Sequence, residues 1–160
     1  MQTMQNWLVE HKAVLLPRWL EASFGVYPAE TVRFLHREAG QFANPVGHSV
    51  YQGLETLYDG LAQGTEAVKL KAAIDQIIRI RAVQELQAAE AVAFVFQFKG
   101  LLRQELLRRE DSPQQELMAI ESAIDALALE VFAVYSACRE QLYQIRLAEI
   151  KKRQMIPQEA

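Results

Sequence analysis

Three histidines, one cysteine and a run of arginines among isoleucines are the places where chemistry could reside in this 160-residue chain. The histidines are His11, His36 and His48. None has another histidine, Cys138 or an acid at metal-ligand spacing; Glu38, two residues from His36, falls on a different helical face. No metal is therefore expected. Serine, histidine and aspartate are all present, but without a nucleophile elbow or a glycine-rich oxyanion loop. No glycine cluster forms a phosphate cradle. Cys138 lacks a partner for an internal disulfide or a zinc cluster, which suits a reducing, cytoplasmic compartment. We expect no enzyme and no cofactor.

Two polar clusters remain. In Asn44-Pro45-Val46-Gly47-His48, Asn44 suits a helix N-cap and Pro45 the first helical position. Val46 would then face inward and Gly47 would permit close helix contact. The alternative is that Asn44 and His48 present polar atoms to a pocket or partner, since a helix N-terminus favours anions. In Ile77-Ile78-Arg79-Ile80-Arg81-Ala82-Val83-Gln84, the arginines and glutamine interleave with apolar residues. One arginine could snorkel to solvent over its packed stem. We favour a guanidinium and an amide fixing a buried polar network against a neighbouring helix, as architecture rather than catalysis.

The elements that must position these residues are helices. From Thr65 to Ile156 the chain has one glycine, Gly100, and one proline, Pro113, among many residues of high helix propensity. No segment alternates convincingly enough for a strand. The expected fold is all-α, with about six principal helices. The first covers about residues 4–24, with Leu8, Val14, Leu15, Trp19 and Leu20 inward and a kink or break at Pro17. A short second, 29–37, packs through Val32, Phe34 and Leu35. The third starts at Asn44-Pro45 and buries Val46, Val50, Leu54, Leu57 and Leu61. Gly64-Thr65-Glu66 separates it from the fourth, 66–85. The fifth, 89–109, is apolar nearly all round at 91–98 and should be the most buried, with Val92, Val95, Phe96 and Leu102 inside. Ser112-Pro113-Gln114-Gln115 forms a capping box for a sixth, very long helix, 113–152. Its stripe Leu117, Ile120, Ile124, Leu127, Val131, Val134 and Cys138 keeps a heptad rhythm.

Composition bounds function. Residues 1–156 read as one domain and 157–160 as a tail. The apolar fraction is 51% and the charged fraction 23%, so a packed core is expected. A net charge of −3 with scattered arginines argues against nucleic acid. No signal peptide is expected at the start, and no stretch suited to membrane insertion is expected either.

Several of these stretches, taken in order, resemble the N-terminal domain of RsbT co-antagonist proteins of the RsbRD type. They are Arg18-Trp19, Tyr27-Pro28, Phe42 with Asn44-Pro45-Val46-Gly47, Ile77 to Gln84, Ala91 to Phe96 with Lys99, and Tyr135 with Arg139-Glu140. The resemblance runs from Trp19 to about Arg146. It implies a globin-like, non-haem, dimeric domain with a sensory or docking role in stress signalling. In the family such domains precede a STAS domain in a phosphorylation-controlled kinase switch; here the expectation is the module without the STAS output domain. A regulatory protein partner and a homodimer through the first or sixth helix are thus expected. The alternative is a sensor of haem or another apolar small molecule in the globin-like cavity. Ordinary haem ligation is disfavoured because the fourth helix, where a proximal histidine belongs, has none.

Overall fold

The computed structural model describes residues 3–30, 33, 45–84, 86–109 and 114–156. Among these there are five α-helices and no strand, so the chain is all-α. They are α1 (Met4–Ser23), α2 (Pro45–Gln63), α3 (Ala67–Val83), α4 (Ala88–Leu106) and α5 (Gln114–Met155), with a 3₁₀ turn, Phe24–Val26, after α1. The expected second helix, 29–37, lies mostly outside the described residues, as do Asn44 and the Ser112-Pro113 half of the expected capping box.

Thr3 starts α1, its hydroxyl accepting the Asn6 backbone N–H at 3.3 Å. The helix then runs on through Pro17 without the expected break. A proline there removes the N–H that would bond to the Ala13 carbonyl. Ala13 and Pro17 both lie on the exposed side, where water can take that carbonyl. Leu15, Leu16 and Trp19 are buried on the opposite side and hold the helix together through packing. Leu8, Leu15 and Trp19 point inward as expected and Leu20 is half-buried, but Val14 is exposed; Met4, Trp7 and Leu16 complete the inner face instead.

The α2 stripe buries Val50, Leu54 and Leu57, with Val46 and Leu61 half-buried at its ends. Gly64 ends the helix with φ of +80°, a left-handed conformation that glycine adopts without a Cβ penalty. Its N–H bonds to the Gly60 carbonyl at 2.9 Å. Glu66 then occupies the N-cap position of α3, without a side-chain cap bond. Gly53 is where α2 and α3 approach most tightly. A Cβ there would stand 2.6 Å from Ile77 Cγ1, 2.8 Å from its Cδ1 and 3.3 Å from the Ala73 carbonyl oxygen. Ile77 is fully buried and has little room to turn away. Gly53→Ala is expected to lower stability by about 1–3 kcal/mol of overpacking, less about 1 kcal/mol of helix propensity. A urea melt checks this; a midpoint that rises would show that Ile77 repacks freely.

Trp19, Tyr58, Phe94 and Phe98 fill the centre. Trp19 Nε1 donates to the Phe94 carbonyl at 2.7 Å, and its ring lies 4.4 Å from that of Phe98. The Tyr58 hydroxyl donates to the Leu8 carbonyl at 2.6 Å, and its ring meets Phe98 edge-on at 5.6 Å. Each polar tip of these large rings therefore has a partner, as a buried aromatic requires. α1 is thereby tied to both α2 and α4.

α4 buries Val92, Val95 and Leu102 as its apolar surface predicts, but Phe96, placed inside by the same reasoning, is 53% exposed. The inner face instead consists of Ala91, Val92, Phe94, Val95, Phe98, Leu102 and Leu106. α5 buries Ile120, Ile124, Leu127 and Val131 of the heptad stripe, with Leu117, Val134 and Cys138 half-buried. Burial pushes the Cys138 thiol above its usual range, with the Asp75 charge adding to the effect. The thiol is thus kept in its less reactive protonated form.

Candidate functional site

The outward face of α4 and the neighbouring face of α5 form an apolar groove of about 700 Å³. Its floor and hollows are small residues, Ala88, Ala89, Ala93 and Ala128, with Val92 beneath. Its projections are large: Phe96, Leu129 at 73% exposure and Phe132 at 51%. Helical spacing produces this arrangement. On α4, Ala89, Ala93 and Phe96 recur at steps of four and three; on α5, Asp125, Leu129 and Phe132 do the same. The second set lies beside the buried stripe, so α5 has two apolar faces where the heptad pattern announced one.

Charged residues near the groove are already paired within the chain. Lys99 Nζ lies 2.9 Å from Asp125, which lines the groove. Arg103 holds the Glu121 carboxylate through two nitrogens, one of them at 2.9 Å. The Arg103 hydrogen bonds hold the Glu121 carboxyl below its usual range. The apolar strip is thus edged by neutralised pairs rather than by a field of one sign.

The polar clusters behave differently from expectation. Arg79 is exposed and pairs with Asp75 at 2.7 Å, one turn back along α3. Gln84 is exposed at the C-cap of α3, and among the described residues no hydrogen bond joins its amide to a buried guanidinium. Arg81 alone enters the core, at 0% exposure. It donates to the Ser23 carbonyl at 2.5 Å and to the Glu90 carbonyl at 3.3 Å. Its guanidinium sits 5.1 Å from the Phe94 ring centre and 5.7 Å from that of Tyr27. Among the described residues no carboxylate pairs with it. Burial pulls the guanidinium below its usual range, while Tyr27 acts against that shift. Desolvation pushes the Tyr27 hydroxyl up, opposed by the Arg81 charge and the Gln84 amide. Sequence periodicity held a clue: Ile74, Ile77, Ile78 and Arg81 share one face, whereas Arg79 lies four residues after Asp75.

His48 is half-buried in the first turn of α2. His11 is committed locally: its Nδ1 is 2.8 Å from the Trp7 carbonyl and its ring stacks on Trp7 at 4.2 Å. His36 and Asn44 lie outside the described residues. Among the described residues no cluster of three His, Cys, Asp or Glu side chains is placed to hold a metal, and no helix is long and apolar enough to cross a membrane. Reconstitution with haem is expected to give no sharp stoichiometric Soret band, because α3 lacks a histidine. A band lost in His48→Ala would reverse that expectation.

No curated protein and no solved structure matches this chain. A family match does exist, over residues 13–150, and it takes in α2, α3, α4 and most of α1 and α5. With that match spanning most of its length, the chain belongs to the family described as the RsbT co-antagonist protein rsbRD N-terminal domain.

Proposed function

We propose that this chain is a non-catalytic, cytoplasmic regulatory module of stress signalling that works through protein contacts and carries no haem. Family membership supports the regulatory class. The single observation that carries the mode of action is the α4–α5 groove. One patch holds both large projections, Phe96, Leu129 and Phe132, and alanine-lined hollows. A twofold axis brings such a patch onto itself, so projections of one copy meet hollows of the other. The paired charges at its edge leave no unmatched field asking for a charged partner. A homodimer formed through α4 and α5 would free the exposed end of α5 to meet a regulatory protein. This keeps the last helix of the expected pairing and sets α4 beside it.

Sedimentation equilibrium tests the pairing. The expected mass is twice the 18.2 kDa of one chain. A single-chain mass persisting to ~100 µM, well beyond a micromolar Kd, would overturn it. The groove would then fit the second reading, an apolar small-molecule site, since its volume lies within the range of about 300–1,000 Å³ usual for such pockets.

A further inference from the structure

The junction between α3 and α4 is held in an unusual way. The two helices it joins scarcely touch one another; α3 packs on α2 and α5, and α4 on α1 and α5. Side chains from elsewhere grip the junction through its carbonyls. Arg139 of α5 donates to Ala82 O at 3.0 Å, and Tyr135, one turn earlier, donates to Leu86 O at 2.5 Å. Arg81, near the end of α3, ties Glu90 O to the carbonyl of Ser23, the last residue of α1. Locally, the Glu90 carboxylate also accepts the Gln87 backbone N–H at 3.1 Å. Within nine residues, three carbonyls are therefore taken by three long side chains from two helices.

We infer that this junction is a coupling element that links the end of α1, from Ser23 to Tyr27, to α5 at Tyr135–Arg139. Arg81 and Tyr135 hold carbonyls four residues apart, Glu90 O and Leu86 O, in the same short segment, so displacing one anchor shifts the carbonyl that the other needs. Arg81 suits a positioning role. Its charge is buried against carbonyls and ring faces, with no carboxylate among the described residues. A planar fork of donors fixes directions that an apolar side chain of similar volume would leave free. A buried charge without a matching acid contributes little net stability for its desolvation. The coupling stands independently of the pairing proposed above; that reading only supplies its purpose, to carry a change at the α1 end to the helix that would meet partners.

Native-state hydrogen exchange on the full chain tests it with two variants. Arg81→Met removes the fork but keeps most of the volume; Tyr135→Phe removes only a hydroxyl. Arg81→Met is expected to speed exchange of α5 amides around Arg139, and Tyr135→Phe that of the Tyr27 amide, which bonds to Phe24 O at 3.0 Å. Each acceleration should be about fivefold or more beyond that of amides around Leu54, in keeping with reciprocal coupling between sites. Val50→Ala, a core truncation on α2, should instead accelerate exchange without favouring either segment. Exchange that rises only beside each substitution, or equally everywhere, would overturn the coupling. Should Arg81→Met fail to fold, Tyr135→Phe alone decides: an unchanged Tyr27 amide refutes it.

Discussion

Phe98→Ala is expected to cost about 3–5 kcal/mol, while Phe96→Ala, two residues earlier on α4, should cost less than about 1 kcal/mol. The chemistry of the two deletions is the same and only the surroundings differ. Phe98 has no exposed surface and sits between Trp19 and Tyr58, so its loss leaves a cavity that two locked rings cannot close. Phe96 is half in water and leaves nothing empty. Chemical denaturation of both variants under monomeric conditions makes the comparison. Equal losses would contradict the placement of Phe96 on the outer face.

The second large effect concerns association. Phe132→Asp places a charge in the α4–α5 groove and removes one of its projections. Truncation of a central aromatic anchor typically costs at least about 2 kcal/mol of binding, or roughly a 30-fold rise in Kd. A carboxylate trapped in an apolar contact should cost more still. Sedimentation at a concentration where the parent chain is paired is expected to show a single-chain mass for this variant. Val68→Asp is the control. Val68 is 79% exposed on α3, away from the groove, and its substitution should leave association unchanged. A variant Phe132→Asp that stays paired would place the contact elsewhere on the surface.

The helical class, the long final helix and the α2 stripe were legible because periodicity and the absence of breakers report directly on helix and inner face. Heptad residues from Ile120 to Val131 are buried as the spacing demands. The outer groove was not legible, for a physical reason. An apolar helix surface satisfies a core and a partner equally, and composition does not say which neighbour supplies the cover. The alanines at 88, 89, 93 and 128 read as helix formers, although they shape the hollows. Arg81 and Arg79 are alike as residue types. Only the face each occupies separates a core anchor from a surface ion pair. Gly53 carried no signal either, since a close approach of two helices depends on their crossing and not on local sequence.

The length of α5 has a mechanical meaning. Its 42 residues make a rod of about 63 Å at 1.5 Å per residue. Its last fully core-facing side chain is Tyr135, while Tyr143, Ile145 and Ile150 are half or more exposed. From Tyr135 to Met155 the rod continues for about 30 Å. Over that lever arm, a tilt of about 5° at the core moves the tip sideways by roughly 2.6 Å, a sizeable part of the ~8–10 Å spacing between packed helices. A change too small to disturb packing around Trp19 would thus arrive at the far end as a sideways displacement large enough for a bound helix to detect.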